Sequence, residues 1–192
     1  MTGFAKIYTK KGDDGTTGLL FGGRMAKASE RGEAIGAIDE AQAAMGVARA
    51  LSEPGGELDQ TLIELERDLY VLMSEVSTAS RNRHKLKAGS TAVTEEMVLA
   101  LEHLIDRTQK SFEMPTEFVV PGGTPVAAAL DVARTVVRRA ERGAVRLVEI
   151  EPLSEDHDAD PSWVLPYLNR LSDVLWILAR HEEGKPVFSR RS

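Results

Sequence analysis

The first residues suited to chemistry lie in one short segment, Tyr8 to Gly18, with the sequence YTKKGDDGTTG. Glycine lets a backbone turn with positive φ, and consecutive N–H groups in such turns form a concavity that binds anions. Threonine hydroxyls and lysine ammonium groups in and near the segment add further anion-binding groups. The candidate residues for this anion site are Thr9, Lys10, Lys11, Gly12, Gly15, Thr16, Thr17, Gly18 and Lys27.

Two aspartates in the same segment do not suit an anion site. Asp13 and Asp14 either shape the turn through bonds to the backbone or hold a cation that accompanies phosphates. A plain hairpin turn is an equally open interpretation, because DDG is a common turn signal. The order of lysine and threonine relative to the glycines excludes a Walker A loop.

A second group of candidates lies on the predicted fourth helix. At 100° per residue, Arg134, Arg138 and Arg142 fall on one arc beside the apolar face, with Asp131 and Glu141 among them. Arginine forks match the geometry of phosphate oxygens, so this arc suits a phosphate-rich ligand. The alternative is a solvated face whose arginines pair with acids elsewhere in the chain.

Further polar candidates lie on the last and first helices. Asn169, Asp173, Trp176 and Arg180 share a face of the last helix at four-three-four spacing. Asn169 suits a hydroxyl-rich or nucleoside ligand, and Asp173 is a catalytic candidate, although an interface or surface stripe is an open alternative. Asp39 lies beside the apolar seam of the first helix, where we expect it to be partly buried and to need a basic partner from the fourth helix.

The elements that must position these residues are five predicted helices. They span about 29–51, 58–79, 95–112, 124–149 and 164–183. Thr94 and Thr124 are the predicted N-caps of the third and fourth helices, and Gly184 is the predicted C-cap of the last. With almost no strand signal, the sequence predicts an all-α, up-and-down helical bundle.

The chain length of 192 residues predicts a single domain, 1–192, in which 1–28 form the N-terminal loop segment and 29–192 the bundle. The basic stretch 81–90 and the acidic stretch 151–162 are predicted loops that a ligand could order.

Composition excludes several classes of function. The chain has no cysteine, which removes disulfides, thiolate metal sites and cysteine nucleophiles. A formal net charge of −6 disfavours non-specific binding to nucleic acid. No apolar run approaches the length of a membrane span, and no signal-peptide pattern opens the chain. We therefore expect a cytoplasmic protein with neither nucleic acid nor membrane as a partner.

Four longer segments resemble one family, the PduO-type ATP:cobalamin adenosyltransferases. They are IYTKKGDDGTTGLLFGG, GAIDEAQAAMG, FVVPGGTPVAAALDVARTVVRRAER and YLNRLSDVLWILAR, in the family's order and spanning essentially the whole chain. The resemblance implies a helical bundle assembled as a homotrimer with active sites between adjacent subunits. It also implies transfer of the 5′-deoxyadenosyl group of ATP to the cobalt of reduced cobalamin, with release of triphosphate.

The resemblance assigns roles to individual residues. Asp39 and Arg134 match an acid–base pair that bridges subunits close to the corrinoid. Phe118 matches an aromatic residue that lies against the corrinoid face and keeps a lower ligand off the cobalt. Magnesium is expected with ATP, and Glu141 is the candidate ligand. The residues that match ATP-binding positions are Thr9, Lys10, Lys11, Gly12, Thr17, Gly18, Lys27, Arg138, Arg139, Ala140, Glu141, Arg142 and Asn169.

The chain departs from the family pattern in its first helix. Ala41 and Gln42 replace a leucine and an asparagine, and Ile35 stands where an aromatic residue is common. Two other readings stay open at this point: a non-catalytic trimer that stores, delivers or senses ATP or a corrinoid, and a structural trimer whose arginine stripe is an interface. If the chain is the enzyme, a reductase and an acceptor that uses adenosylcobalamin are its expected partners.

Overall fold

The computed structural model describes residues 7–153 and 162–190. The predicted acidic loop 151–162 therefore lies mostly outside the described residues, as do the first six residues of the N-terminal segment. The elements, in chain order, are β1 (Thr16–Gly18), β2 (Arg24–Ala26), α1 (Glu30–Leu51), α2 (Glu57–Val76), a 3-10 helix (Ser80–Lys85), α3 (Glu95–Gln109), α4 (Pro125–Ile150) and α5 (Val164–Glu183). The fold is mostly helical, as the sequence predicts, with one small sheet.

Side-chain caps fix where three of the helices begin. Ser29 Oγ accepts a hydrogen bond from Gly32 N at 3.2 Å, and the hydroxyls of Thr94 and Thr124 cap α3 and α4 in the same way. Each cap satisfies one of the N–H groups that the first turn of a helix leaves without a partner. Gly184 ends α5 with a φ of 72°, a conformation that glycine adopts without steric cost. The predicted caps Thr94, Thr124 and Gly184 are confirmed.

Two predictions about local structure are wrong. Helix α2 ends at Val76 rather than Ala79, because the hydroxyl of Thr78 bonds back to the Ser74 carbonyl and the Ser77 carbonyl accepts from Leu20 N. The stretch predicted as a basic loop begins with the 3-10 helix. Its Arg83 reaches the buried carboxylate of Glu75 at 2.7 Å, a contact that local sequence does not reveal.

Helices that follow one another in the chain alternate in direction. Helix α1 packs between α2 and α4, and α5 packs between α4 and α3. Helix α1 is antiparallel to α2 and to α4. Helix α5 is antiparallel to α4 and parallel to α3. The contacts that set these directions are Glu30–Arg146, Glu40–Arg139, Arg49–Asp59, Gln42–Glu66, Arg180–Asp131, Asn169–Glu141, Arg170–Glu102 and His181–Phe112.

The five helices share one apolar core. Alanines dominate the contact between α1 and α4, where a Cβ on Gly143 would lie 3.4 Å from Ala34 Cα, so the two backbones approach closely. The leucines of α5 at 168, 171 and 175 are fully buried, as their spacing predicts. Within the described ranges, no helix has the length and apolarity that crossing a membrane requires.

Candidate active site

The N-terminal loop is organised by Asp14 and Arg24. Asp14 Oδ1 accepts from the Thr16 hydroxyl at 2.8 Å and from Thr16 N at 3.0 Å, so Asp14 shapes the turn. These two bonds, with the Arg24 guanidinium 3.4 Å away, hold the pKa of Asp14 below its usual value. Arg24 also donates to the carbonyl of Lys11 and to the Thr16 hydroxyl. The loop leads into an antiparallel hairpin in which Thr17 pairs with Met25.

Of the three loop glycines for which positive φ was expected, one adopts it. Among the described residues of the loop, positive φ occurs at Gly15 (79°) and at Lys10 (61°), but not at Gly12 or Gly18. Gly18 is extended because it belongs to β1. Gly12 is needed for space instead, since a Cβ there would lie 3.1 Å from both Lys27 Nζ and the Thr16 carbonyl oxygen.

Lysine side chains surround this loop. The Lys27 ammonium lies directly against Gly12, while Lys10 and Lys11 are exposed. Lys11 N donates weakly to the Thr9 hydroxyl at 3.5 Å, and Asp13 N donates to the Lys10 carbonyl at 3.4 Å. The structure thus brings Lys27 to the loop, as the sequence predicts.

Arginines line the middle of α4 on its exposed side. Arg139 pairs with Glu40 of α1, and Arg142 donates to the Arg138 carbonyl at 3.1 Å. The Arg138 guanidinium makes no ion pair or hydrogen bond with any residue in 7–153 or 162–190. Ala140 is buried in the core behind them. Arg138 is therefore an exposed cation that a ligand could use.

Glu141 and Asn169 are engaged with one another. Asn169 Nδ2 donates to Glu141 Oε1 at 3.0 Å, and Asn169 Oδ1 accepts from Arg170 at 2.9 Å. No group of three or more potential metal-ligating side chains occurs within the described part of the chain. Glu141 thus offers one carboxylate, already hydrogen-bonded, rather than a protein cage for magnesium.

A cavity of about 750 Å³ opens beside the N-terminal half of α4. Phe118, with 90% of its surface exposed, forms part of one wall. Arg134 and Trp176 contribute from α4 and α5, and the buried side chains of Asp131 and Arg180 line the cavity between them. The chain segments 118–120 and 187–189 pair through backbone hydrogen bonds beside it.

Asp39 and Asp173 lie outside this cavity. The expectation that Asp39 is partly buried is wrong for the single chain, where it is exposed on α1. Its predicted partner on α4, Arg134, instead lies 3.5 Å from Asp131, because residues three apart on a helix are neighbours. Asp173 is also exposed and lies 3.8 Å from Arg170.

Sequence reasoning missed two interactions of the site. It placed Arg180 on a polar face of α5 without recognising that Arg180 is buried against Asp131 at 2.5 Å. It also gave no role to Arg24. The four-three-four stripe on α5 was the available signal for Arg180, but nothing in the sequence pairs it with a particular acid on α4.

The loop and the cavity lie near opposite ends of α4. Lys27 precedes the first turn of α1, whose Arg31 pairs with Glu151 just after α4 ends. Arg134 is about 17 residues earlier, so a rise of 1.5 Å per residue separates the two regions by about 25 Å along the helix. Within one chain, the loop and the cavity do not form a single pocket.

The fold and these two regions define a helical protein with a cationic, hydroxyl-rich loop and a separate large cavity edged by an exposed phenylalanine. The chain belongs to the cobalamin adenosyltransferase family, whose model matches residues 7–182. It is 40% identical over 177 residues to the corrinoid adenosyltransferase of Mycobacterium tuberculosis strain H37Rv, which covers 91% of this chain and 87% of that protein. The corrinoid adenosyltransferase of Citrobacter freundii is 38% identical over 181 residues, which covers 94% and 97% of the two chains.

Solved structures agree in fold. A variant of the PduO-type ATP:corrinoid adenosyltransferase from Lactobacillus reuteri, complexed with cobalamin and ATP, superposes with a TM-score of 0.83 at 30% identity, covering 97% of this chain and 100% of that one. A second variant, complexed with ATP, gives a TM-score of 0.82 at 31% identity and covers 96% and 100%.

Proposed function

We propose that this protein transfers the 5′-deoxyadenosyl group of ATP to the cobalt of reduced cobalamin, giving adenosylcobalamin and triphosphate. The observation that carries the proposal is the cavity lined by Phe118 and Arg134, in a chain whose family model extends over residues 7–182. The cations around the loop and Arg138 supply what a triphosphate requires. The Lactobacillus reuteri neighbour complexed with cobalamin and ATP supports both ligands.

The chemistry needs no general base. Co(I) is a strong nucleophile, and its electron pair forms the bond to the ribose C5′ while the C5′–O bond breaks and its electrons leave with the triphosphate. Negative charge therefore grows on the leaving group. Lys27 and the loop N–H groups of one subunit, together with Arg138 and Arg142 of its neighbour, would stabilise that charge where it develops. Holding cobalt and C5′ in line lowers the barrier further.

Phe118 would act before this step. Formation of Co(I) from Co(II) is electrochemically unfavourable while a lower axial ligand donates electrons to the cobalt. An apolar ring that lies against the corrinoid and displaces the ligand raises the potential. The position of Phe118 suits this role, because its ring is 90% exposed and lines the cavity.

A complete site requires more than one subunit. Because the loop and the cavity are separated by about 25 Å along α4, ATP held at one loop cannot reach a corrinoid in the same chain's cavity. A head-to-tail homotrimer would join the loop of one subunit to the cavity of the next. Exposed Asp39 is then free to meet Arg134 of a neighbour. The remaining site roles, the single domain, the reductase, the acceptor enzyme and the cytoplasmic location stay predictions.

Magnesium would be bound mainly by the phosphates of ATP. Glu141 already accepts a hydrogen bond from Asn169, and its one carboxylate does not make a site by itself. No step is assigned to the ion.

The test is an anaerobic mixture of the protein, ATP, magnesium and chemically reduced cobalamin. We expect the Co(I) absorption to decay into the spectrum of a light-sensitive cobalt–carbon product. ATP binding by calorimetry without any spectral change would contradict the transfer reaction and favour the non-catalytic binding protein.

A further inference from the structure

Four charged side chains form a compact group behind the cavity: Asp131 and Arg134 of α4 with Arg180 and Glu183 of α5, hereafter the buried charge cluster. Arg180 Nη2 lies 2.5 Å from Asp131 Oδ2, and Arg180 Nε lies 3.1 Å from Glu183 Oε2. Arg134 Nε lies 3.5 Å from Asp131 Oδ1. The side chains of Asp131, Arg180 and Glu183 are at most 8% exposed, whereas that of Arg134 is 29% exposed.

The cluster is balanced in charge, and Asp131 is its shared member. Two guanidinium groups face two carboxylates, and this balance makes burial of the three enclosed members tolerable. Asp131 Oδ2 accepts a hydrogen bond from Arg180, whereas its Oδ1 forms an ion pair without a hydrogen bond with Arg134 Nε. Among the described residues of its own chain, Asp131 is the acid that pairs with Arg134 and so orients it toward the cavity. Asp131 is in turn fixed by Arg180.

The same cluster holds the opposite wall. Glu183 Oε1 accepts from Gly123 N at 3.2 Å, and a Cβ on Gly123 would lie 2.4 Å from Glu183 Cγ. The segment that carries Phe118 thus runs directly into a residue pressed against the cluster. Thr124, which caps α4, adds a bond from its hydroxyl to the Glu182 carbonyl at 3.1 Å.

A buried ion pair contributes little to stability compared with apolar residues of the same volume, so stability alone does not account for this cluster. We propose that Asp131 and Arg180 are positioning residues, which fix Arg134 on one side of the cavity and, through Glu183 and Gly123, the Phe118 segment on the other. The inference rests on the proposed function. Beyond that function, Asp131 and Arg180 hold the cavity walls in position.

A double-mutant cycle tests the proposal. Initial rates of adenosylcobalamin formation from Co(I), with KM for cobalamin and for ATP, are measured for the wild-type protein, Asp131→Asn, Arg134→Ala and the double variant. We expect Asp131→Asn to lower kcat/KM for cobalamin by about 10- to 100-fold, as a misplaced group does. KM for ATP should change less than about twofold, because Asp131 pairs with Arg134 and Arg180 and contacts neither the loop nor Arg138. In the Arg134→Ala background, Asp131→Asn should cost less than about twofold more, because the assay starts from Co(I) and so bypasses the reduction in which Phe118 acts.

A matched control is Asp59→Asn, which removes a carboxylate from another ion pair between helices, 2.8 Å from Arg49. It should leave both KM values unchanged. An equal loss from Asp131→Asn in both backgrounds would make the cluster merely structural and overturn the proposal, and so would no loss in the wild-type background.

If Asp131→Asn lacks the helical circular dichroism of the wild-type protein, Arg180→Lys takes its place in the cycle, since it keeps the positive charge and removes the fork. A loss confined to the background that retains Arg134 supports the proposal, and a loss of equal size in both overturns it. Failure of the proposed function is distinct, because then the wild-type protein itself forms no adenosylcobalamin.

Discussion

Arg138 presents a guanidinium that none of the described residues neutralises, halfway along a helix whose neighbouring arginines are engaged. We expect Arg138→Ala to lower the rate of adenosyl transfer by about 100- to 1,000-fold, the usual cost of removing one donor to developing charge. Helix content by circular dichroism should not change, because the side chain makes no contact that holds the fold.

Arg146→Ala is the matched control for that variant. Arg146 lies two turns further along the same helix, is similarly exposed and pairs with Glu30 at 3.2 Å. It should retain nearly full activity. Full activity in Arg138→Ala would refute the phosphate-stabilising role.

The proposed role of Phe118 concerns the reduction of Co(II) to Co(I) and not the later attack of Co(I) on ATP. We expect Phe118→Ala to reduce turnover from Co(II) with a biological reductant by at least about tenfold more than turnover from prepared Co(I), since displacement of the lower ligand matters for the reduction and not for the attack. Parallel assays with the two starting oxidation states measure the ratio. Tyr70→Ala, which removes another exposed ring, is the control. Equal losses in both assays would mean that Phe118 only packs against the corrinoid.

At the scale of residues, sequence reasoning located groups whose chemistry is local. The association of Lys27 with the glycine loop follows from short-range turns, and the structure confirms it. The roles of Arg24 and Arg180 depend on partners 10 and 49 residues away, respectively. A single sequence does not specify which distant acid meets which base.

At the scale of elements, helix positions followed from periodic leucines and alanines, and helix starts followed from Thr94 and Thr124. The sequence pattern did not predict the elements that depend on contacts with distant residues. The 3-10 helix at Ser80–Lys85 depends on buried Glu75, whose carboxylate also accepts from Val93 N at 2.6 Å and from the Ser162 hydroxyl at 2.7 Å. The hairpin depends on Leu20, whose N–H bonds to the end of α2.

A hydrogen bond from the Tyr167 hydroxyl to Asp68 Oδ2, 2.8 Å long, joins α5 to α2 and gives a pH-dependent prediction. Burial raises the pKa of Asp68 above its ordinary value of 3.8, and the bond from Tyr167 offsets only part of this. Burial and the charge of Asp68 raise the pKa of Tyr167 well above its usual value, so Tyr167 stays a donor. The folded protein therefore holds the Asp68 proton more tightly than the unfolded chain.

It follows that Asp68 lowers the free energy of unfolding as the pH rises from below 3.8 through its raised pKa. Asparagine can accept the same hydrogen bond but carries no charge. We expect Asp68→Asn to melt up to about 4 °C above the wild-type protein at pH 7, with the difference shrinking as the pH falls toward 4. Thermal melts followed by circular dichroism measure it. A difference that grows on acidification would contradict the assignment.

At the scale of the whole molecule, the distance between the loop and the cavity determines whether one chain can hold a complete active site. The sequence pattern predicts the loop, and the family resemblance supplies the residues around the cavity, but neither shows that the two regions lie near opposite ends of α4. That distance follows from the antiparallel packing of α1 on α4, seen in the contacts of Glu30 with Arg146 and Glu40 with Arg139. From this distance we propose that the active sites lie between subunits.

Subunit mixing tests whether each active site is shared between two chains. Lys27→Ala disables the loop and Arg134→Ala disables the cavity, so each homo-oligomer should be nearly inactive. Co-expressed with different affinity tags and purified through both, the mixed oligomers should contain intact sites where an unaltered loop meets an unaltered cavity. In a head-to-tail trimer that contains both kinds of subunit, one of the three interfaces joins an unaltered loop to an unaltered cavity, so we expect about a third of the wild-type rate of adenosylcobalamin formation. Activity no higher than that of either parent, in oligomers shown to contain both subunits, would contradict an active site shared between chains.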